Sequence, residues 1–238
     1  MKHVVIGLGE VGSALYRVLS EKVECYGYDM ADDVTSLPMV DVLHICFGWS
    51  AEFEAEVKRW VDEFGGECHV IVHSTVPIGT CRRIGAVHSP VLGDHTDMQK
   101  SLKTFKKWFG GRIHYEVLRE MTGIFWVQTT DLPETTEALK LFCLAKYGVD
   151  IAMANFQRNV MESMDMPTDV IVEWDEAYNQ GLRDVGRSDK QRPIITNPDG
   201  KIGGHCVLPG TRMLDSLFEN PMLKEVLALD PLHVMEPK

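Results

Sequence analysis

A single cysteine in a glycine-rich loop is the first residue whose setting could support chemistry. Gly203, Gly204 and His205 directly precede Cys206. Adjacent glycines tolerate positive φ angles and let a ligand approach the backbone. A neighbouring histidine favours the thiolate, which is the nucleophilic form of cysteine. The same residues are also compatible with a turn followed by a buried, inert cysteine, because free cysteine commonly behaves as a small hydrophobic residue.

A glycine motif near the N-terminus is the second chemical signal. Glycines at positions 7, 9 and 12 follow a short apolar run and open a helical pattern, which is the context of a dinucleotide-binding turn. In such a turn the first glycine permits the bend, the second admits the pyrophosphate and the third allows close helix–strand packing. The N–H groups at the helix start favour anions. The residues expected to hold the cofactor here are Gly7, Leu8, Gly9, Glu10, Val11 and Gly12.

An acidic residue closes the second apolar run and bears on the identity of the nucleotide. Asp29 lies 17 residues after Gly12, near the spacing at which a carboxylate binds ribose hydroxyls. Because a carboxylate repels a 2′-phosphate, we expect NAD rather than NADP. A Rossmann-like fold that binds another nucleotide, or none, is the alternative.

Apolar runs alternating with helical patterns must position these residues. Strands are predicted at 3–8, 23–28, 40–47, 69–72, 84–88 and 124–128, and helices at 11–20 and 51–64. Residues 102–109 and 115–121 are predicted to form surface helices or turns. Continuous apolar strands alternating with helices indicate a parallel sheet covered on both faces. The expected fold class is α/β, a Rossmann-type doubly wound parallel sheet followed by an α-helical domain with a long helix.

The helical domain is expected to begin with one unusually long helix. Residues 133–164 contain no proline after Pro133 and only one glycine, Gly148, and a further helix is predicted at 170–185. The apolar residues of the long helix fall on several faces, which indicates burial under the sheet or against a second copy of the chain. We expect an NAD-binding domain at 1–130 and a helical, dimerising domain at 131–238 that carries the cysteine loop.

Composition excludes several functional classes. The formal net charge of −11 argues against a nucleic-acid partner, because phosphate binding needs clustered Lys and Arg. The basic cluster from Lys100 to Lys107 is interpreted as a solvated helix face. Without a signal peptide, a long apolar run or paired cysteines, the sequence predicts a cytoplasmic protein with reduced thiols and no membrane association. No metal is expected, because the histidines lack paired ligand spacing.

Four further motifs follow the glycine turn in a specific order. Each of the first two follows a predicted strand, the third lies on the long helix, and the last is the cysteine loop. They are Ser74, Thr75 and Pro77; His88, Ser89 and Pro90; Glu137 and Lys140; and Gly203, Gly204, His205 and Cys206. In this order, from residue 1 to about 215, the chain resembles the UDP-glucose/GDP-mannose (nucleotide-sugar) dehydrogenase family.

The resemblance implies roles for specific residues. Cys206 matches the nucleophile that binds the aldehyde intermediate as a thiohemiacetal, with His205 beside it, and Lys140 matches the catalytic lysine. Thr75 matches the threonine that contacts cofactor and water, and Ser74 precedes it at the cofactor. The family oxidises an alcohol to an acid with two hydride transfers to NAD, and its long helix forms the dimer interface. A homodimer through residues 133–164 and a sugar-like substrate are therefore expected.

The chain departs from the family pattern at three positions. Leu144 replaces the usual asparagine, Gly210 replaces an aspartate that assists proton transfer, and Val91 replaces a glutamate needed for thioester hydrolysis. The family's C-terminal UDP-binding domain has no room before Lys238. The full four-electron oxidation is therefore not expected. Two alternatives stay open: an NAD-binding regulatory or degenerate protein without turnover, and a methyltransferase that binds an adenosyl cofactor.

Overall fold

The computed structural model describes residues 1–29, 32, 39–196, 202 and 206–230. The chain forms two compact units, Met1–Lys140 and Leu141–Lys238.

A seven-stranded sheet forms the centre of the first unit. Its strands are β1 (Lys2–Ile6), β2 (Glu24–Tyr28), β3 (Val42–Ile45), β4 (His69–Val72), β5 (Val87–His88), β6 (Lys107–Gly110) and β7 (Val127–Thr130). They lie in the order β2-β1-β3-β4-β5-β6-β7. All neighbours are parallel except β5 and β6, which pair antiparallel through His88 and Gly110. The predicted Rossmann-like α/β fold is confirmed, and the sheet is mostly rather than wholly parallel.

Helices cover both faces of this sheet. They are α1 (Glu10–Ser20), α2 (Phe53–Glu63), α3 (Thr80–Arg83), α4 (Met98–Thr104) and α5 (Tyr115–Thr122). Because side chains alternate along a strand, Val5 packs in the cluster that contains Leu15 of α1. Its neighbour Val4 packs in the cluster that contains Trp60 of α2. The apolar strands are therefore buried on both sides, as their composition predicts.

Residues 102–109 are not a single surface helix or turn. Helix α4 ends at Thr104, and the chain then enters β6. Phe109 is fully buried and Lys107 is 3% exposed, so the basic cluster is not one solvated face. Lys103 does lie on the surface, where it pairs with Glu21. The prediction was wrong because β6 is short and its alternation is hidden by Lys106 and Lys107. The following strand also begins later than predicted, at Val127.

The predicted long helix is present as α6 (Pro133–Ser163). It is followed by α7 (Val170–Asp184), α8 (Val207–Asp215) and α9 (Pro221–Ala228). In the second unit, a small core joins Ile202, Val207, Leu208 and Val226. The glycine of the long helix allows this packing, because a Cβ atom at Gly148 would lie 2.6 Å from Val226 Cγ1.

Several large apolar side chains of α6 and α7 face solvent. Phe142 is 51% exposed, Phe156 63% and Trp174 71%. Phe156, Val160, Met161, Val170, Ile171 and Trp174 line an apolar groove between the two helices. No helix in the described part of the chain combines the length and the apolar character needed to cross a bilayer.

Candidate nucleotide-binding site

The turn after β1 is built by two glycines for different reasons. Gly7 has a φ of +89°, and its N–H donates to the carbonyl of Tyr28 at 2.9 Å. A side chain at Gly7 would also meet the backbone of Phe47, 2.8 Å from its Cβ position. Gly12 lies so close to the carbonyl oxygen of Gly7 that no Cβ atom fits there. The chain therefore turns sharply into α1, and this helix packs tightly on the strand that precedes it.

Gly9 leaves the start of α1 open. It is the N-cap residue, and no side chain caps the helix. A Cβ atom at Gly9 would meet nothing within 4 Å in the part of the chain that the structure describes. The first backbone N–H groups of a helix have no partner within the helix. Together with the helix dipole, they form an anion-binding position. The described residues therefore leave room for an anion such as a phosphate at Gly9.

The remaining residues of the motif support the turn from its two sides. Leu8 and Val11 are half-buried and pack against the cluster that contains α1. Ser13 donates its hydroxyl to the carbonyl of Leu8 at 2.5 Å. The side chain of Glu10 is exposed, and its Oε1 lies 2.7 Å from His95 Nδ1. Any contribution of Glu10 to an anion site therefore comes from its backbone N–H.

The turn lies where the sheet changes direction. β1 pairs with β2 on one side and with β3 on the other. The connection after β1 therefore leads toward one edge of the sheet, and the connection from β3 to β4 leads toward the other. In open α/β sheets, ligands bind at the carboxyl ends of strands flanking this point. The sheet therefore places the glycine turn at the position where a dinucleotide is bound in this fold class.

Asp29 follows the last residue of β2. Its N–H donates to the carboxylate of Asp32 at 2.7 Å, and the N–H of Asp32 donates to the carbonyl of Asp29 at 3.1 Å. Two carboxylates therefore lie at the end of the strand that neighbours the glycine turn. This concentration of negative charge opposes a 2′-phosphate more strongly than Asp29 alone.

The loop after β4 is held by a buried network. Ser74 donates its hydroxyl to the carbonyl of Phe47 at 2.5 Å. Its carbonyl lies 3.2 Å from His88 Nε2, and His88 Nδ1 lies 2.9 Å from the hydroxyl of Thr136. Burial lowers the pKa of His88 to about 3, so this ring is neutral. The loop that presents Thr75, which is half-buried, is thus fixed at the same edge of the sheet.

The start of α6 is tied to the loop before α3. The buried carboxylate of Glu137 accepts N–H groups from Gly79 at 2.5 Å and Cys81 at 2.7 Å. One turn later, Lys140 donates its ammonium to the carbonyl of Val91 at 2.9 Å. Val91 itself is buried. At the position of the family's glutamate, the chain therefore offers an apolar side chain and a carbonyl that binds Lys140.

Cys206 lies in the second unit, at the N-cap of α8. Its side chain is half-buried, and its carbonyl accepts the N–H of Gly210 at 3.0 Å. The other members of its loop, Gly203, Gly204 and His205, lie outside the described residues. Gly210 is buried and contacts Leu144, because a Cβ atom at Gly210 would lie 2.7 Å from Leu144 Cδ1.

The buried histidines of the first unit, His3, His44, His73 and His88, contact backbone carbonyls, polar side chains or one another. Among the described residues, no group of three or more His, Cys, Asp and Glu side chains is arranged to hold a metal ion. His73 and His88 both lie at carbonyl groups, those of Ser89 and Ser74. A buried row that joins His73 to His3 and His44 was not predicted from the sequence. The sequence signal for it is a histidine on β1, one on β3 and one directly after β4.

Comparison with known proteins gives matches in structure only. No protein-family model matches the chain, and no curated protein matches it in sequence. The chain is similar to UDP-D-ManNAc dehydrogenase from Pyrococcus horikoshii, with a TM-score of 0.80 and 18% identity over 97% of this chain and 68% of that one.

Two further solved structures are similar. UDP-glucose dehydrogenase from Pyrobaculum islandicum has a TM-score of 0.73 and 16% identity over 97% of this chain and 68% of that one. The 3-hydroxyisobutyrate dehydrogenase of Mycobacterium tuberculosis has a TM-score of 0.68 and 14% identity over 95% of this chain and 91% of that one. Identities this low show the fold alone, and the chain has the Rossmann-like α/β fold of these dehydrogenases.

Proposed function

We propose that the protein is an NAD-dependent oxidoreductase that acts on an alcohol or aldehyde group of a sugar-like molecule. The observation that carries this proposal is the uncapped, uncrowded start of α1 at Gly9, located where the sheet changes direction. The structures with similar folds support the reaction class, because they include UDP-D-ManNAc dehydrogenase and 3-hydroxyisobutyrate dehydrogenase.

The assignment of NAD as the cofactor follows from the residues at the ends of β1 and β2. The backbone around Gly7, Gly9 and Gly12 would hold the pyrophosphate, and Asp29 would accept hydrogen bonds from the ribose hydroxyls. The neighbouring Asp32 carboxylate adds to the repulsion of a 2′-phosphate, which favours NAD over NADP. Such a cofactor supplies a hydride acceptor, the chemistry needed to oxidise an alcohol or a hydrated aldehyde.

The catalytic roles proposed for the side chains come from the resemblance to nucleotide-sugar dehydrogenases. Cys206 is the candidate nucleophile toward an aldehyde carbon, with His205 as its neighbour in the sequence. Lys140 is the candidate cation for a developing oxyanion, and Thr75 the candidate contact to cofactor and water. In the first unit, the hydrogen bond from Lys140 to the Val91 carbonyl holds the ammonium in a defined position.

A single two-electron oxidation or reduction suits this chain better than the four-electron reaction. Val91 is buried and apolar, so it offers no carboxylate for hydrolysis of a thioester. Leu144 and Gly210 form an apolar contact where the family has an asparagine and an aspartate. The groups that carry protons and water in the second half of the family reaction are therefore missing.

The same apolar contact favours one alternative, an NAD-binding regulatory protein without redox turnover. In that case the nucleotide site at Gly9 is retained, while the proton-transfer groups near positions 144 and 210 have been lost. The two candidates share the cofactor and differ in turnover, so one assay separates them.

The decisive assay combines NAD with a panel of sugar alcohols, sugar aldehydes and nucleotide sugars, and follows the absorbance of the reduced cofactor. We expect turnover with at least one substrate and a loss of about 100-fold or more in Cys206→Ala. Cys143→Ala is the matched control, because Cys143 is an exposed thiol of α6. Full turnover in Cys206→Ala would exclude the covalent role. NAD binding with no turnover on any substrate would favour the regulatory protein, and a co-purified adenosyl cofactor, identified by mass, would favour the methyltransferase.

We also propose that the chain forms a homodimer through α6. The support is the exposed apolar surface of this helix and its neighbour, which includes Phe156 and Trp174 at the groove between α6 and α7. Exposed apolar patches of this kind commonly mark protein interfaces. The family that the sequence resembles uses its long helix in this way.

A further inference from the structure

A continuous row of hydrogen-bonded side chains crosses the sheet of the first unit. His3 Nδ1 lies 2.9 Å from His44 Nε2, and His44 Nδ1 lies 2.9 Å from His73 Nε2. The row continues to Lys107, whose Nζ lies 3.0 Å from His73 Nδ1. At its other end, His3 Nε2 lies 2.9 Å from Glu120 Oε2.

The strand register produces this row. His3 is opposite Val42, and His44 is two residues beyond Val42 on β3. His44 is in turn opposite Ile71, and His73 is two residues beyond Ile71. Residues two apart share a face of a strand. Each histidine therefore lies on the same face of the sheet and two residues nearer the carboxyl edge than the previous one.

The interior of the row is sealed from water, and one end is not. His3 and His44 are fully buried, and His73 and Lys107 are 4% and 3% exposed. The side chain of Glu120 is 24% exposed, and its second oxygen accepts from the N-terminal ammonium of Met1 at 3.0 Å. An exchangeable proton on Lys107 thus has no direct route to solvent, whereas one on Glu120 has.

At the carboxyl edge, Lys107 has three acceptors. Its Nζ lies 2.7 Å from the Ser89 carbonyl, 3.1 Å from the Pro90 carbonyl and 3.0 Å from His73 Nδ1. An ammonium has three donors, so the protonated lysine satisfies all three. A neutral amine has two donors. In that state, His73 can place a proton on Nδ1 and donate to the Ser89 carbonyl, which is 2.8 Å away.

These contacts allow two complete hydrogen-bond patterns, related by the net transfer of one proton from Lys107 to Glu120. With Lys107 charged and Glu120 ionised, His3, His44 and His73 each carry their proton on Nε2 and donate toward Glu120. With Lys107 neutral and Glu120 protonated, each ring carries its proton on Nδ1 and donates toward Ser89, and Glu120 donates to His3 Nε2. Imidazole can make this exchange because one ring nitrogen accepts a proton as the other releases one.

We propose that His3, His44 and His73 form a proton relay that connects the buried amine of Lys107 to solvent at Glu120. In one transfer, Lys107 gives a proton to His73 Nδ1, His73 Nε2 gives one to His44 Nδ1, and His44 Nε2 gives one to His3 Nδ1. His3 Nε2 then gives a proton to the Glu120 carboxylate, which releases it to water. No ring gains a net charge, and no atom other than hydrogen moves between residues.

The charged groups around the row are consistent with this transfer. Burial lowers the pKa of Lys107 to about 7, with Cys46 acting to raise it and Lys140 to lower it. Burial also holds the pKa values of His44 and His73 well below their ordinary value, so these rings relay protons as neutral groups. The lysine therefore changes charge near neutral pH while the histidines between it and the surface stay uncharged.

One further carboxylate, that of Asp41, and one further histidine, His88, act on the ends of the row. Asp41 and Glu120 both act to raise the pKa of His3, against burial and the N-terminal ammonium, and the net direction is downward. His88 acts to lower the pKa of His73. The relay goes beyond the proposed redox function and does not depend on it. As a consequence of the relay, the charge of Lys107 at the carboxyl edge of the sheet responds to the pH of the solvent at Glu120, on the opposite edge.

The experiment measures both proton positions and proton exchange in the full-length, ¹⁵N-labelled protein without cofactor. Long-range ¹H–¹⁵N correlation spectra report which nitrogen of each ring is protonated. We expect His3, His44 and His73 to change from Nε2–H to Nδ1–H with one shared midpoint, at the titration of Lys107. Fixed tautomers across that titration would overturn the proposal.

Variants test whether the row carries the exchange. The rate at which Lys107 loses and regains its proton, measured by relaxation dispersion of the ¹⁵Nζ signal, should fall by about tenfold or more in His44→Gln, because an amide keeps a donor and an acceptor but does not relay a proton. Glu120→Gln, at the exposed end, should slow it similarly without altering the interior. His95→Gln, an exposed histidine outside the row, is the control. Wild-type exchange in Glu120→Gln would overturn the relay even if His44→Gln failed to fold.

Discussion

Leu144 contacts the backbone of Gly210, and each occupies the position of a polar residue in the family that the sequence resembles. A Cβ atom added at Gly210 would lie 2.7 Å from Leu144 Cδ1 and 3.4 Å from Leu144 Cβ. The two replacements are therefore in direct contact: with Leu144 on α6, any side chain at position 210 on α8 would force the leucine to move. The second unit gained a packing contact where the family has an asparagine and an aspartate.

This contact predicts a specific cost for restoring the aspartate. Gly210→Asp would place a carboxylate against Leu144 in a buried position, and we expect the free energy of unfolding to fall by about 2–4 kcal/mol. Urea unfolding measures the change. Gly181→Asp is the control, because Gly181 is also helical but has nothing within 4 Å of its Cβ position. Equal stability of the two variants would show that Leu144 does not confine position 210.

Asp29 predicts how the choice between NAD and NADP can be altered. Asp29→Ser removes the carboxylate proposed to bind the ribose hydroxyls. The affinity for NADP relative to NAD should therefore rise by about tenfold, equivalent to about 1.4 kcal/mol. Asp32→Ser should produce a smaller change, because its carboxylate is bound to the N–H of Asp29. Competition titrations with the two nucleotides measure both. An unchanged ratio in Asp29→Ser would remove the argument for NAD.

The buried histidines predict that acid destabilises the protein. Burial lowers the pKa of His3, His44, His73 and His88 in the folded state. Below the ordinary histidine pKa, the unfolded chain therefore binds protons that the folded chain does not, and stability falls as pH falls. Each such histidine contributes about 1.4 kcal/mol per pH unit in that range. Chemical unfolding at a series of pH values from about 7 to 5 measures the slope.

One variant isolates the contribution of the row. His44→Gln should reduce the slope of stability against pH by about one proton, while the exposed control His95→Gln should leave it unchanged. The pH range of this measurement, from about 7 to 5, lies above the pKa of Glu120. Burial acts to raise the pKa of Glu120, but hydrogen bonds from His3 and the N-terminal ammonium hold it below its ordinary value. A pH-independent stability in this range would contradict neutral, buried histidines.

The exposed groove of α6 and α7 predicts the oligomeric state. Light scattering should give twice the chain mass of 26.8 kDa. Phe156→Glu should shift the protein to monomer, because it places a charge in the apolar groove. Phe105→Glu is the control, since Phe105 is also exposed but lies outside that groove. A wild-type monomer would refute the homodimer.

The parts of the fold that local sequence determines were predicted well. The motif of Gly7, Gly9 and Gly12 lies within six consecutive residues, and the long helix depends on the absence of helix breakers. β6 was missed because its burial comes from β5 and β7, which the local run of lysines does not indicate. Contacts with neighbouring strands, rather than the local sequence, therefore determine that these residues form a strand.

The candidate site also has features that the local sequence predicts and features that it does not. Gly9 and Asp29 could be identified from motif and spacing. The contact between Leu144 and Gly210, and the row from His3 to Lys107, join residues far apart in the chain. Their formation depends on helix packing and on strand register, which a single sequence does not specify. The substitutions at 144 and 210 were visible, but their direct contact was not.

Calorimetric titration of NAD into the protein tests whether the start of α1 is an NAD-binding site. We expect a dissociation constant between about 1 μM and 1 mM, weakened by at least about tenfold in Gly9→Val because its side chain would occupy the pyrophosphate position. Gly181→Val, which adds the same side chain to a helix of the second unit, should bind as the wild type does. Absence of NAD binding, or equal binding by Gly9→Val, would show that the start of α1 is not an NAD site.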